Sequence, residues 1–263
     1  MKPAALDYQR PATLDAALAM LAEAGPAGRV IAGGQSLGPM LNLRLTRPEM
    51  LIDITGIAEL RETTRGDDGV LLGACVTHAA IEDGSVADAT HGVLARIAGG
   101  IAYRAVRNRG TIGGSLAHAD PAADWVTVLA ALGAEAVIAG AAGERRAPMA
   151  GFVTGAFETV LDAGEILRGV RLPALSEAAQ WGYYKFCRKA GDFAEAMAAV
   201  LFDPETGAAR TVIGATHAQP VIVEGPYDAD RVRAAVDALG FDAYDRQTHL
   251  VAATRAAAIA GLA

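Results

Sequence analysis

The chain has 263 residues, of which 52% are hydrophobic and 20% charged, so it can bury a sizeable core and is not globally disordered. Its formal net charge of −7 weighs against nucleic-acid binding, which depends on Lys and Arg contacts to phosphate. Two cysteines, Cys75 and Cys187, are too few for a disulfide framework, a cysteine-built zinc site or a four-cysteine iron–sulfur cluster.

The sequence of residues 1–54 predicts a β/α unit. Thr13 can cap a helix that Gly25 ends, because a Thr side chain accepts a hydrogen bond at a helix start and Gly tolerates the backbone of a helix end. Short buried strands are expected at 30–32 and 50–54, and a glycine pair follows the first of them at once.

The middle of the chain, 55–173, alternates apolar strands with helical patterns. The expected elements lie at 70–74, 91–106, 120–132, 135–139 and 166–172. Asp120 is expected to be the N-cap of the helix at 120–132, with Pro121 as its first residue, because this pair suits a helix start.

After a linker at 173–179 the pattern changes to three strands and then two helices. These elements are expected at 181–187, 195–202, 210–216, 228–239 and 244–260. The Ala-rich segment 195–202 is compatible with a helix, but the turn residues at 203–207 favour a strand hairpin.

The location of the protein is indicated by what the sequence lacks. The N-terminal stretch has no apolar signal core, and no run of about twenty uncharged apolar residues occurs. We therefore expect a cytoplasmic protein without a transmembrane segment.

Two segments, 32–36 and 111–115, each contain a glycine pair followed closely by a serine, as Gly-Gly-Gln-Ser in the first and Gly-Gly-Ser in the second. Glycines allow positive φ and close backbone approach, so successive N–H groups can converge on an anion, and Ser36 and Ser115 add hydroxyl donors. A glycine pair alone is an ordinary turn, so the residues by themselves predict only an anion site. The phosphate-binding patterns of Rossmann and P-loop proteins are absent.

The segments AGGQSLGPMLNLRL (32–45), RNRGTIGGSLAHADPAAD (107–124) and KFCRKAGDFAEA (185–196) resemble the flavoprotein, or medium, subunit of the xanthine dehydrogenase and carbon monoxide dehydrogenase family of molybdenum hydroxylases. The resemblance implies an α+β fold. Its first part, at 1–54 and 55–173, is expected to be a two-subdomain FAD-binding fold of the vanillyl-alcohol-oxidase (PCMH) type. A C-terminal domain at 178–263 is expected to contain three antiparallel strands and a helical bundle.

The same resemblance implies a role in electron transfer. The chain would bind FAD noncovalently, receive electrons from the [2Fe–2S] clusters of a small iron–sulfur subunit and pass them to an external acceptor. A large subunit would hold the molybdenum cofactor, and the complex would be a dimer of such heterotrimers. Two cysteines cannot build the clusters, which fits this division of labour.

Carried over by motif, the resemblance implies a set of cofactor-binding residues and no catalytic or metal-binding residue. The set is Arg29, Val30, Ile31, Ala32, Gly33, Gly34, Gln35, Ser36, Leu37, Ile101, Ala102, Gly110, Thr111, Gly113, Gly114, Ser115, Asp120, Ala123, Asp124, Ile166, Leu167, Lys185 and Phe193. Segments 29–36 and 111–115 would grip the diphosphate from two sides.

The remaining residues of this set have individual roles in the resemblance. Asp124 would contact the ribityl or diphosphate part of FAD. The pairs 101–102 and 166–167 would line the pocket and pack at the adenine or flavin wall. Lys185 would lie near the flavin pyrimidine edge and Phe193 close to the isoalloxazine. Gln35 stands where the carbon monoxide enzymes typically have His. The glutamine side chain keeps the capacity to form hydrogen bonds at this position.

Alternatives stay open at this point. His118 and Asp120 suggest acid–base chemistry or a metal site, but a helix cap and local packing are favoured, because the sequence places no third ligand. Lys185 is also compatible with an ordinary surface position on a strand. At the level of function, the alternatives are a self-sufficient FAD-dependent oxidase of the same fold and a non-enzymatic protein that binds an anion through the same glycines.

Overall fold

Three main sheets follow one another along the chain in the computed structural model, which describes residues 2–263. They have three, five and four strands, and a separate two-stranded ribbon lies within the middle region. Each sheet falls inside one of the ranges 1–54, 55–173 and 178–263. Among residues 2–263, no helix is both long and apolar enough to cross a membrane.

The first sheet is parallel, with its last strand in the centre. The elements are β1 Asp7–Gln9, α1 Leu14–Ala24, β2 Gly28–Ile31, α2 Leu37–Asn42 and β3 Met50–Asp53. Strand β3 pairs in parallel with β1 on one side and β2 on the other. The predicted start and end of α1 are confirmed, because the Thr13 hydroxyl accepts from the Ala16 N–H at 3.2 Å and Gly25 ends the helix at φ 52°.

The second sheet is antiparallel and carries the central helices on one side. Its region contains β4 Thr63–Gly66, β5 Gly69–Gly73, α3 His78–Glu82, α4 Val93–Gly99, α5 Arg104–Arg107, α6 Ile112–His118, α7 Asp124–Ala131, β6 Glu135–Gly140, β7 Gly143–Pro148, β8 Val153–Gly155, β9 Glu158–Thr159 and β10 Ile166–Pro173. The strand order is β4-β5-β10-β6-β7. Helices α3, α4, α6 and α7 bury their apolar faces with this sheet in the largest hydrophobic core, where Trp125 is fully buried.

Two predicted helices in this region differ from the structure. The expected helix at 91–106 is two helices, α4 and α5, because the chain turns at Gly100 and Ala102 adopts φ 47°. The helix expected from Asp120 begins at Asp124 instead. The Asp120 carboxylate accepts from the Ala122 N–H at 2.9 Å, and this local turn competes with a helix start.

The third sheet is antiparallel and has four strands, so the prediction of three was wrong. The elements are β11 Gln180–Phe186, β12 Ala196–Asp203, β13 Ala208–Gly214, β14 Val221–Glu224, α8 Ala229–Asp237 and α9 Ala243–Ile259. Strand β14 was missed because it is short and its partner strand is needed to define it. The expected helical bundle is only a pair of helices packed against the sheet.

Strand β12 is covered on both faces, which explains its Ala-rich sequence. Helix α9 packs on one face, and α7 lays Ala130 and Ala131 against Ala199 and Val212 on the other. A strand buried on both sides loses the alternation of apolar and polar residues. The strand interpretation of 195–202 is therefore confirmed, with α7 joining the second and third sheets.

Candidate functional site

The first glycine motif lies in direct backbone contact with residues 109–110, which immediately precede the second motif. A Cβ added at Gly33 would lie 1.9 Å from the carbonyl oxygen of Arg109 and 2.9 Å from Gly110 Cα. A Cβ at Gly114 would meet the Ala32 Cβ at 3.7 Å. Only a residue without a side chain fits at Gly33, so this glycine allows the segments 32–36 and 109–115 to meet.

The first motif offers unpaired backbone donors at the carboxyl end of the parallel sheet. It follows β2, whose last residue pairs with Asp53 at the end of β3. Gly34 turns the chain at φ 70°. Within residues 2–263, the N–H groups of Gly33, Gly34, Gln35 and Ser36 have no hydrogen-bond acceptor. Such a run of free N–H groups is a suitable binding site for an anion.

The second motif forms the first turn of α6, so the N–H groups of residues 112–115 are already hydrogen-bonded, contrary to the expectation that they converge on an anion. Thr111 caps this helix by accepting from the Gly114 N–H at 3.0 Å, and the Gly113 N–H donates to the Ala74 carbonyl at 2.9 Å. A Cβ at Gly113 would lie 2.4 Å from the Ala74 Cβ. These glycines therefore serve close packing. The Thr111 hydroxyl is used by this cap, whereas the Ser115 hydroxyl has no hydrogen-bond partner within the described residues.

A buried ion pair links the middle of the chain to the third sheet. The Lys185 ammonium lies 2.9 Å from Asp124 Oδ1 and 3.2 Å from Oδ2, and the two side chains are only 10% and 7% exposed. The Tyr183 hydroxyl donates to the same carboxylate at 2.8 Å. Burial, together with the Asp124 charge, raises the pKa of Tyr183 well above its usual value. The interpretation of Lys185 as an ordinary surface residue does not fit this burial.

The turn at 100–102 adjoins this ion pair. The Gly100 carbonyl accepts a hydrogen bond from Lys185 Nζ at 3.0 Å. The Ala102 N–H donates to the Gly191 carbonyl at 2.9 Å, which fixes the loop that carries Phe193. The Phe193 side chain is 58% exposed, and a large part of its ring is therefore accessible. Residues 101–102, 124, 185 and 191–193 are thus connected through direct contacts.

Other residues of the expected set lie in the protein interior. Ile166 and Leu167 are 2% and 4% exposed and point into two different core clusters, which leaves their backbone atoms as the groups that can face a cofactor. Ala123 is also buried. His118 packs on the ring of Phe157, with centroids 5.1 Å apart, and so has the local packing role considered for it.

Sequence reasoning missed His78 and Tyr183. His78 lies behind the second motif. Its backbone N–H donates to the Gly110 carbonyl, and its ring Nδ1 accepts from the Trp125 indole N–H at 3.1 Å. Burial and the nearby Arg107 charge lower the pKa of His78 to about 4. Tyr183 could have been found, because it is two residues from Lys185 and shares its face of a strand.

Comparisons with known proteins identify the family of this chain. A family model that describes the FAD binding domain in molybdopterin dehydrogenase matches residues 4–175. The chain belongs to this family. It is an FAD-binding subunit of the molybdenum hydroxylases, FAD is its cofactor and its class of activity is oxidoreductase.

Similar proteins cover most of this FAD-binding subunit. Caffeine dehydrogenase subunit beta of Pseudomonas sp. is 37% identical over 206 residues, which are 78% of this chain and 70% of the relative. The carbon monoxide dehydrogenase medium chain of Hydrogenophaga pseudoflava is 38% identical over 201 residues, 76% and 70% of the two chains. A solved structure of carbon monoxide dehydrogenase from the same organism superposes with a TM-score of 0.90 at 32% identity and covers 99% of both chains.

These relatives are named as chains or subunits of dehydrogenases. The FAD-binding subunit described here shares its fold with one of them over almost its full length. A self-sufficient oxidase is therefore not favoured.

Proposed function

We propose that this FAD-binding subunit is the electron relay of a molybdenum-containing hydroxylase or dehydrogenase. It binds FAD noncovalently, takes electrons from the [2Fe–2S] clusters of a small partner subunit and delivers them to an external acceptor. A large partner subunit holds the molybdenum cofactor, and the complex is a dimer of heterotrimers. The observation that carries the proposal is the run of four unpaired N–H groups at residues 33–36, packed against the segment 109–115.

The first motif binds the diphosphate in this proposal. The N–H groups of residues 33–36 would donate to phosphate oxygens, and four backbone donors in succession can hold the anion without a lysine. The Ser36 hydroxyl, which is exposed, and the Ser115 hydroxyl add donors from the two sides. Gly33 contributes by having no side chain, since a Cβ would collide with Arg109.

The ion pair of Lys185 and Asp124 serves the flavin end in this proposal. FAD supplies the redox chemistry when it is bound, and the protein contributes placement and charge. Lys185 carries the cation that the flavin's pyrimidine edge requires, and Asp124 holds its ammonium in one position. Because the pair is neutral as a whole, Asp124 also moderates the effect of Lys185 on the flavin potential.

The finer structural and cellular assignments belong to the same proposal. Residues 1–54 and 55–173 form the two subdomains of a PCMH-type fold, and 178–263 forms a separate C-terminal domain; the placement of one main sheet in each range supports this division. We also propose a cytoplasmic location. Cys75 and Cys187 are both free, as expected for the reducing conditions of the cytoplasm.

The proposal is tested by cofactor content and by reconstitution. The purified chain should contain or take up one FAD, release it intact on denaturation and be reduced by dithionite. It should be reduced by organic substrate only when the iron–sulfur and molybdenum subunits are present. A chain that takes up no FAD would refute the proposal. Bleaching of the flavin by substrate in the isolated chain would support an oxidase instead.

A further inference from the structure

Three consecutive carbonyl groups, those of residues 100–102, accept hydrogen bonds from two buried cations. Lys185 Nζ donates to the Gly100 carbonyl at 3.0 Å. Arg107 Nη1 donates to the carbonyls of Ile101 and Ala102, each at 3.0 Å. Charge-assisted hydrogen bonds of this kind are stronger than bonds between neutral groups. The turn is therefore held by side chains from β11 and α5, outside its own segment.

Arg107 is fixed from behind by Glu82. Arg107 Nε and Nη2 donate to the two Glu82 carboxylate oxygens at 2.7 and 2.9 Å. The hydrogen bond from Arg107 lowers the pKa of Glu82. The Arg107 side chain is 11% exposed, so its guanidinium lies between the Glu82 carboxylate and the turn with little access to water. This planar, two-sided arrangement uses the fork geometry of arginine, which lysine cannot reproduce.

The conformation of the turn needs such support. Ala102 adopts φ 47°, a left-handed conformation that is unfavourable for a residue with a Cβ. Its carbonyl is the acceptor for Arg107, and a Cβ at Gly191 would lie 2.3 Å from that same oxygen. The loop that carries Phe193 thus rests directly on the group that Arg107 holds. Displacement of this turn would move Phe193 as well.

We propose that Arg107 is a positioning residue for the flavin end of FAD. It holds residues 101 and 102, and through Gly191 the Phe193 loop, at fixed distances from the pair of Lys185 and Asp124. The inference rests on the proposed function, because it assigns these residues to the flavin end of the site. The Arg107 side chain makes no hydrogen bond to either glycine motif, so its removal should leave the diphosphate site intact.

The matched pair of variants is Arg107→Gln and Arg104→Gln. Arg104 lies one helical turn away on α5 and also binds Glu82, at 2.9 Å, but its remaining side-chain hydrogen bonds are to Asp83 and Asn108, away from the turn. Each full-length variant is saturated with FAD. The readouts are the dissociation constant and stoichiometry of FAD, the visible absorption and circular dichroism of the bound flavin, and its midpoint potential by redox titration.

We expect both variants to bind one FAD. Arg107→Gln should weaken binding about tenfold, the equivalent of one charge-assisted hydrogen bond, and should shift the flavin spectrum and potential. Arg104→Gln should match the wild type. Arg107→Lys should resemble Arg107→Gln, because it keeps the charge and loses the fork. A wild-type spectrum and potential in Arg107→Gln, or in Arg107→Lys, would overturn the inference.

A further variant keeps the test decisive if substitution at Arg107 prevents folding. Glu82→Gln leaves the hydrogen bonds of Arg107 to the turn and removes the carboxylate behind it, so a smaller shift of the flavin potential is expected. An unchanged potential in Glu82→Gln would then overturn the inference. Failure of the wild type to bind FAD would refute the proposed function, whereas unchanged variants of an FAD-containing wild type would refute only the role of Arg107.

Discussion

The position where a Cβ of Gly33 would lie is 1.9 Å from the carbonyl oxygen of Arg109. The first glycine motif therefore meets, through its backbone, the residues that immediately precede the second motif, although the two segments are far apart in the chain. The free N–H groups beside Gly33 belong to the first motif, while the second motif uses its own N–H groups for a helix start and for Ala74. The two similar sequences therefore differ in structure: the first leaves its N–H groups without acceptors, and the second uses its own for helix capping and close packing.

The first prediction concerns this contact. Gly33→Ala should abolish stoichiometric FAD binding, because the added methyl group must push the two motifs apart and displace the N–H groups of residues 33–36. Gly38→Ala is the control, since a Cβ at Gly38 has no atom within 4 Å. FAD content after gel filtration is the measurement. Equal FAD content in the two variants would contradict the role of Gly33.

A second prediction applies a double-mutant cycle to the ion pair of Lys185 and Asp124. Lys185→Met should lower the flavin midpoint potential, because the Asp124 carboxylate then stands without its counter-charge. Asp124→Asn should raise the potential, because the ammonium is no longer neutralised. The double variant should return towards the wild-type value. Redox titration of the four proteins measures this cycle.

The free energy of unfolding of the same variants provides an independent measurement of the interaction between Lys185 and Asp124. Removal of one partner from a buried ion pair destabilises a protein by about 3–5 kcal/mol, and the double variant should lose less than the sum of the two. Asn at position 124 can still accept from Tyr183, which makes it the milder change. A loss of stability in the double variant equal to the sum of the two single losses would show that the two charges do not interact.

The third prediction concerns pH and His78. Burial lowers the pKa of His78 from 6.5 to about 4, so the unfolded chain takes up a proton at a higher pH than the folded chain. The free energy of unfolding should therefore fall as the pH decreases from 6.5 to about 4. The His78 contribution to this loss is at most about 3 kcal/mol.

The variant His78→Asn isolates this effect from the titration of carboxylates. Its amide oxygen can replace Nδ1 as the acceptor for Trp125, and it does not titrate. Urea unfolding at about pH 7 and about pH 5, followed by circular dichroism, should show a smaller loss of stability in the variant. Identical losses in the two proteins would rule out His78 as the source.

The fourth prediction tests the packing of α9 on the third sheet. A Cβ at Gly182 would lie 1.8 Å from the carbonyl oxygen of Ala256, a backbone atom that cannot move alone. Gly182→Ala should therefore destabilise the protein by about 1–3 kcal/mol or more. Gly151→Ala, where a Cβ meets nothing within 4 Å, should leave the melting temperature nearly unchanged. Similar melting temperatures for both variants would contradict this account of the packing.

Several features could be predicted because they depend on neighbours in the chain. The Thr13 cap and the Gly25 end of α1 follow from side chains within one helical turn. The hairpin between β12 and β13 follows from its turn residues. Where a local alternative existed, the prediction failed: Asp120 can cap a helix or close a turn on Ala122, and the structure has the turn.

The sequence by itself determined the family and the cofactor, because the motif at 107–124 is long enough to be recognised from consecutive residues alone. Only the tertiary structure decided which distant residues those of the site contact. The contact of Gly33 with Arg109, the ion pair of Asp124 with Lys185 and the support of the turn at 102 by Arg107 each join segments that are distant in sequence. Such contacts depend on the packing of whole sheets and helices, which no local pattern encodes.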